Sequence, residues 1–64
     1  MAGRKKEVED RWEYKIKRMK KNIKLREIAK EIGLSVSYIS QHENYKRNMD
    51  TQHVIQYKQF IDQY

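Results

Sequence analysis

The sequence predicts an all-α fold, one compact domain of four to five helices. Three observations carry that expectation. Proline is absent and glycine occurs only at positions 3 and 33, so little punctuates the chain except at one point. Apolar residues recur at three- and four-residue spacing in successive segments, the period of a helix face. Sixty-four residues without cysteine leave one small core that neither a disulfide nor a thiolate metal site can support.

Residues 1–6 (MAGRKK) are expected to form a basic arm, either a solvated terminus or a tail that follows phosphates, and residues 7–64 the folded domain. A first helix is expected from about Glu7 to Lys21. Trp12, Ile16, Met19 and Ile23 fall at i, i+4, i+7 and i+11, which reads as its core face, with Trp12 packed inside. Acids gather in its first turns and bases at its end, matching the helix dipole. Lys17, Lys20, Lys21 and Lys24 are either phosphate contacts or a charged outer face. Asn22 can take the left-handed conformation in the connection that follows, and can cap the next helix.

Leu25, Ile28, Ala29 and Ile32 place one apolar face on a second helix. Gly33 stands where a helix ends with positive φ, and Ser35 is placed to cap a third helix over Val36–Asn44. Ile39 is the one unambiguous inward residue of that third helix; its other positions are largely polar. After a polar loop, Tyr45–Met49, Asp50 or Thr51 caps a last helix reaching about Gln63. Val54, Tyr57 and Ile61 form its apolar face, with Ile55, Phe60 and Tyr64 to one side.

Helix, glycine turn and polar helix over residues 25–44 is the layout of a helix-turn-helix, whose second helix enters the DNA major groove. Charge agrees with a polyanionic partner. The chain carries +6, and residues 1–24 hold ten Lys/Arg against four acids. Other chemistry finds no support. His42 and His53 are eleven apart with no cysteine, so no metal is expected. Glu27 and Glu31 alternate with Arg26 and Lys30, as on a solvated face. No phosphate-binding glycine loop or nucleophile–base spacing occurs, so neither enzyme activity, a small-molecule substrate nor a cofactor is expected. With no apolar run long enough for a membrane span or signal core, the expected location is the cytoplasm.

From about Lys15 to Phe60 the chain resembles the lambda-repressor-like (Xre or Cro type) helix-turn-helix family, particularly small phage and mobile-element regulators of Gram-positive bacteria. The likeness rests on Leu25 or Ile28, Ala29, Gly33, Ser35, Ile39, Ser40 and Glu43 at fixed spacing. It implies that Val36, Ser37, Ser40 and Gln41 face bases, and that Ser35, Tyr38, Asn44, Lys46 and Arg47 meet phosphates. Arg18 and Glu43 occupy the places of a family ion pair that locks the motif onto helix 1. The chain departs from the pattern at Lys24, Leu25 and Tyr45. A usual cap and phosphate contact are therefore missing at the start of helix 2, where Lys24 or Arg26 can replace the contact. The implied function is a repressor-like regulator of transcription, a homodimer on palindromic double-stranded DNA. The aromatic residues Tyr57, Phe60 and Tyr64 of the last helix are the expected self-contact surface, with closure of the core as their other role, the one expected of Tyr57. Two alternatives stand beside it: a module that binds another regulator or host protein through the C-terminal helix, and an architectural or excision accessory factor.

Overall fold

A computed structural model describes residues 10–64, as four helices: α1 (Arg11–Lys20), α2 (Leu25–Ile32), α3 (Val36–Glu43) and α4 (Thr51–Gln63). The expected basic arm and the residues 7–9 assigned to the first helix lie outside the described residues. α2 packs on α3 and α4, and α1 lies across α3 and α4. Ile23, Ile28, Ala29, Ile39, Met49, Tyr57 and Ile61 form the buried core, with Leu25, Ile32, Leu34, Val54 and Phe60 packed around it.

Three helices stop by the same local device. Asn22, Gly33 and Tyr45 all have positive φ, of 58°, 71° and 60°. In each case the next residue's N–H reaches back across the last turn: Ile23 to the Arg18 carbonyl, Leu34 to Ala29 and Lys46 to Gln41, at 3.1, 2.9 and 2.8 Å. Carbonyls that a helix end leaves unpaired are thereby satisfied. Only Gly33 adopts this conformation without steric cost. Tyr45 takes it as a full-sized residue, and the Arg11 guanidinium lies 4.6 Å from the centre of its ring.

The starts of the helices differ from one another. Ser35 caps α3, its hydroxyl accepting the Tyr38 N–H at 3.0 Å. Lys24, not Asn22, holds the cap position of α2, and its side chain has no acceptor to offer. Glu27 instead accepts the Lys24 backbone N–H at 3.4 Å, half of a capping box. Asp50 occupies the cap position of α4 without a side-chain bond to the helix.

α1 corrects the sequence reading. Trp12 and Met19 are not in the core: they are 56% and 55% exposed. The face turned inward carries Arg11, Tyr14, Lys15 and Arg18, at i, i+3, i+4 and i+7. Arg11 is buried, and donates to the carbonyls of His42 (3.0 Å) and Arg47 (3.4 Å) and to the Asn48 side chain (3.1 Å). A guanidinium with five donors suits the carbonyls that Arg11 meets, while Tyr14 is the one residue of α1 packed against the apolar core. Ile23 is buried as expected, but as part of the turn after α1.

Of the two roles expected for Tyr57, the structure gives it the core one and not the self-contact one. At 1% exposure it closes the core and has no surface to offer a second copy. Phe60 is partly buried, while Tyr64 is 56% exposed and donates its hydroxyl to Glu27 at 2.8 Å.

Candidate nucleic-acid interface

α3 is fixed by three inward residues, Ile39, His42 and Glu43, all buried. Of the polar pair, Glu43 was expected inside as the partner of Arg18, and that ion pair is formed, whereas His42 was not evident in the sequence. Glu43, whose side chain is 2% exposed, accepts from Arg18 Nε at 2.7 Å and Nη2 at 3.0 Å, and from the Tyr57 hydroxyl. Arg18 also donates to the Ile23 carbonyl at 2.7 Å. Burial disfavours the Arg18 charge, but the Glu43 carboxylate overrides it and holds the guanidinium above its usual pKa. Burial, then Glu43, pushes the Tyr57 hydroxyl well up, so it remains a donor. His42 Nδ1 accepts the Met49 N–H at 3.4 Å, and its ring meets Tyr57 edge-on. One network thus ties α3 to α1, to the turn after α1, and to α4.

With that face committed, helical geometry turns Ser37, Ser40, Gln41 and Asn44 (i, i+3, i+4, i+7) to the other side. Ser37 and Asn44 are exposed, Ser40 and Gln41 partly so, and Val36 stands at the edge, 42% exposed. Gln41 Nε2 donates to Ser37 Oγ at 3.2 Å. The Asn44 amide donates to the Ser40 carbonyl at 2.9 Å, and its oxygen accepts from Lys15 Nζ at 3.1 Å. The Lys15 link to α3 was not read from the sequence. Its one signal is position, on the same helical face as Arg11 and Arg18.

The residues expected to meet phosphates lie around α3. Ser35, Lys46 and Arg47 are exposed at its two ends, and Lys24 and Arg26 are exposed at the start of α2. The Arg47 guanidinium stands 5.0 Å from the Tyr38 ring centre, while that ring meets His53 edge-on. Glu27 brings negative charge to the first turn of α2, which opposes a phosphate at that helix N-terminus. Two lysines grouped with this interface are directed elsewhere. Lys17 pairs with Asp62 at 2.9 Å, and Lys21 donates to the Ile61 carbonyl at 2.6 Å, both on α4.

Among the described residues, no group of three or more His, Cys, Asp or Glu is placed to hold a metal ion, and no helix is long and apolar enough to cross a membrane. No curated protein and no solved structure matches the chain. A family model described as helix-turn-helix matches residues 15–60, which takes in the last half of α1 and most of α4. With the turn at Gly33, the cap at Ser35 and the polar outer face of α3, this match establishes that the chain belongs to the lambda-repressor-like (Xre) helix-turn-helix family of DNA-binding regulators.

Proposed function

We propose that the chain is a sequence-specific regulator of transcription, repressor-like, that lays α3 in the major groove of double-stranded DNA. The observation carrying this reading is the division of α3. Ile39, His42 and Glu43 are spent on the fold, while Ser37, Ser40, Gln41 and Asn44 form a polar row outside it. The Ser37 bond holds the Gln41 amide in place and uses one of its N–H groups. The second N–H and the carbonyl oxygen suit the N7 and N6 positions of adenine. Val36 is placed to pack on a thymine methyl, so an A·T-containing half-site is expected. Ser35, Tyr38, Lys46 and Arg47, with Lys24 or Arg26, would set the register on phosphates.

One helix spans too few base pairs to single out an operator, so the reading includes a homodimer on a palindrome with half-sites about one turn apart. With Tyr57 buried, the self-contact would draw on Phe60 and Tyr64.

The test is selection from a random duplex pool at about 150 mM salt, run beside the triple variant Val36→Ala, Ser37→Ala, Gln41→Ala. A palindromic motif that disappears in the variant supports the proposal. Retention without a motif, lost steeply with salt, would replace it with backbone-only binding by an architectural factor. No retention would refute the DNA reading.

A further inference from the structure

An imidazole nitrogen at the start of α4 is buried without a partner. His53 Nδ1 is shielded from water, yet no hydrogen bond reaches it among the described residues. Asp50 Oδ2 lies 4.0 Å away, beyond hydrogen-bond reach, on a carboxylate that is 82% exposed and makes no capping bond to α4. Two polar groups able to satisfy each other therefore stand side by side, unjoined. A neutral ring with its lone pair on Nδ1 faces a carboxylate, whereas an imidazolium donates Nδ1–H to it. A small movement of the exposed Asp50 side chain closes the gap.

The ring lies beside two of the residues read as phosphate contacts. It meets Tyr38 edge-on, with centroids 6.0 Å apart, and the Arg47 guanidinium stands 5.0 Å from the centre of that same Tyr38 ring. Since Nδ1 is buried, the 29% of the side chain that meets water lies on the remainder of the ring, which carries Nε2. Surrounding charge sets the direction of the effect. Asp50 favours the imidazolium, while Arg47 and the N-terminal end of α4 oppose it. α2 brings Glu31 to α4 in a groove shared with Gln56, a turn beyond His53, and the charged contacts of α1 with its cap residue fall further along, at Lys58 and Asp62. A phosphate on Arg47 and Tyr38 offsets the opposing charge and supplies an acceptor for Nε2–H.

Resting on the DNA contact proposed for Tyr38 and Arg47, we propose that His53 is a further backbone contact, made as an imidazolium. Nδ1–H donates to Asp50, which orients the ring, and Nε2–H donates to a phosphate oxygen of the strand that Tyr38 and Arg47 hold. Binding then takes up a proton, so affinity rises as pH falls. Linkage is reciprocal: the duplex strengthens proton binding at His53 by the same factor that the proton strengthens duplex binding. Histidine is the side chain whose ordinary range makes such coupling effective near neutral pH.

The probe is a random-sequence duplex of about 30 base pairs, because phosphate contacts do not depend on sequence. Affinity is measured at about 50 mM salt, at about pH 6 and about pH 8, for the full chain, His53→Gln and Asp50→Asn. Histidine ring signals are followed by NMR with and without duplex. The parent is expected to gain about fivefold on going from the higher pH to the lower, His53→Gln less than about twofold, and Asp50→Asn an intermediate amount. The His53 ring signal should titrate at higher pH once duplex is added. A gain that His53→Gln keeps in full overturns the proposal, since a ring that only packs against Tyr38 would alter affinity equally at both pH values. Inorganic phosphate moving the His53 signal as far as the duplex does would make this a site for a free anion, and also overturns it. Those two results leave the DNA reading standing, whereas no binding of duplex at either pH would sink that reading and this inference with it.

Discussion

Replacing Glu43 by alanine tests the central network directly. In the folded chain Glu43 takes two bonds from Arg18 and one from Tyr57, and both charged side chains are largely withdrawn from water, at 13% and 2% exposure. Removing the carboxylate leaves the guanidinium with the Ile23 carbonyl as its remaining bond in this network and strips the Tyr57 hydroxyl of its acceptor. Breaking one side of a buried ion pair costs about 3–5 kcal/mol, and the orphaned hydroxyl adds about 1 kcal/mol or more. A 64-residue domain has only about 3–10 kcal/mol in total. Glu43→Ala is therefore expected to unfold much of the population at room temperature, read by urea titration with far-ultraviolet circular dichroism. The combined change Arg18→Met, Glu43→Leu, Tyr57→Phe removes every polar member together. It should lie within about 1 kcal/mol of the parent or above it, yet bind duplex DNA less selectively, because α3 is then held without its directional bonds to Arg18 and Tyr57. A Glu43→Ala chain within about 1 kcal/mol of the parent would refute the assignment of this network as the lock between α1 and α3.

Further outcomes follow from individual contacts. Tyr45→Val is expected to cost about 1–2 kcal/mol, since a β-branched residue resists positive φ, while Tyr45→Asn costs less; thermal melts separate the two. Lys46→Ala and Arg47→Ala should each weaken binding to all duplex sequences alike and reduce the salt slope by about one. The raised Tyr57 pKa is a stability that is complete below about pH 10 and declines as pH rises, because the unfolded hydroxyl ionises first. Tyr57→Phe should flatten that alkaline decline. Asp62 is held below its usual value by its bonds from Lys17 and then Tyr14, so its contribution is present above about pH 4 and fades on further acidification. Asp62→Asn should remove that acid-side dependence.

The parts of the fold that could be read from the sequence are those where an apolar period and a turn signal agree. In α2, Ile28 and Ala29 mark the inner face, Gly33 ends it and Ser35 opens α3, so all four speak for one geometry. In α1 they disagree. Hydrophobic periodicity follows apolar residues wherever they face, and much of the surface α1 meets is carbonyls and a carboxylate that call for Arg11 and Arg18, with Tyr14 alone reaching the apolar core. The row of Trp12, Ile16 and Met19 consequently pointed to the wrong side. For the site, it was the family resemblance that named Val36, Ser37, Ser40 and Gln41, and the inward Ile39 is consistent with their outward face. The bonds of Lys15 to Asn44, Lys17 to Asp62 and Lys21 to Ile61 were not legible. They join residues 29 to 45 positions apart, and fifteen cations allow too many pairings for charge alone to choose.

The polar seam of α1 also sets the order in which the domain comes apart. Apolar burial holds α2, α3 and α4 to one another, while α1, apart from the packing of Tyr14 on the core, is fastened by ion pairs and hydrogen bonds, several at the surface: Asp10 to Lys58, Lys17 and Tyr14 to Asp62, Lys15 to Asn44. Such fastenings weaken with ionic strength, and an apolar core does not. Native-state hydrogen exchange should therefore show the amides of α1 opening at a lower free energy than those of α2 and α4, with a gap that widens as salt is added. Because α1 grips α3 through Arg18 and Glu43, its release also loosens the helix proposed to read DNA. Salt then acts twice, on the phosphate contacts and on the rigidity of the reading surface.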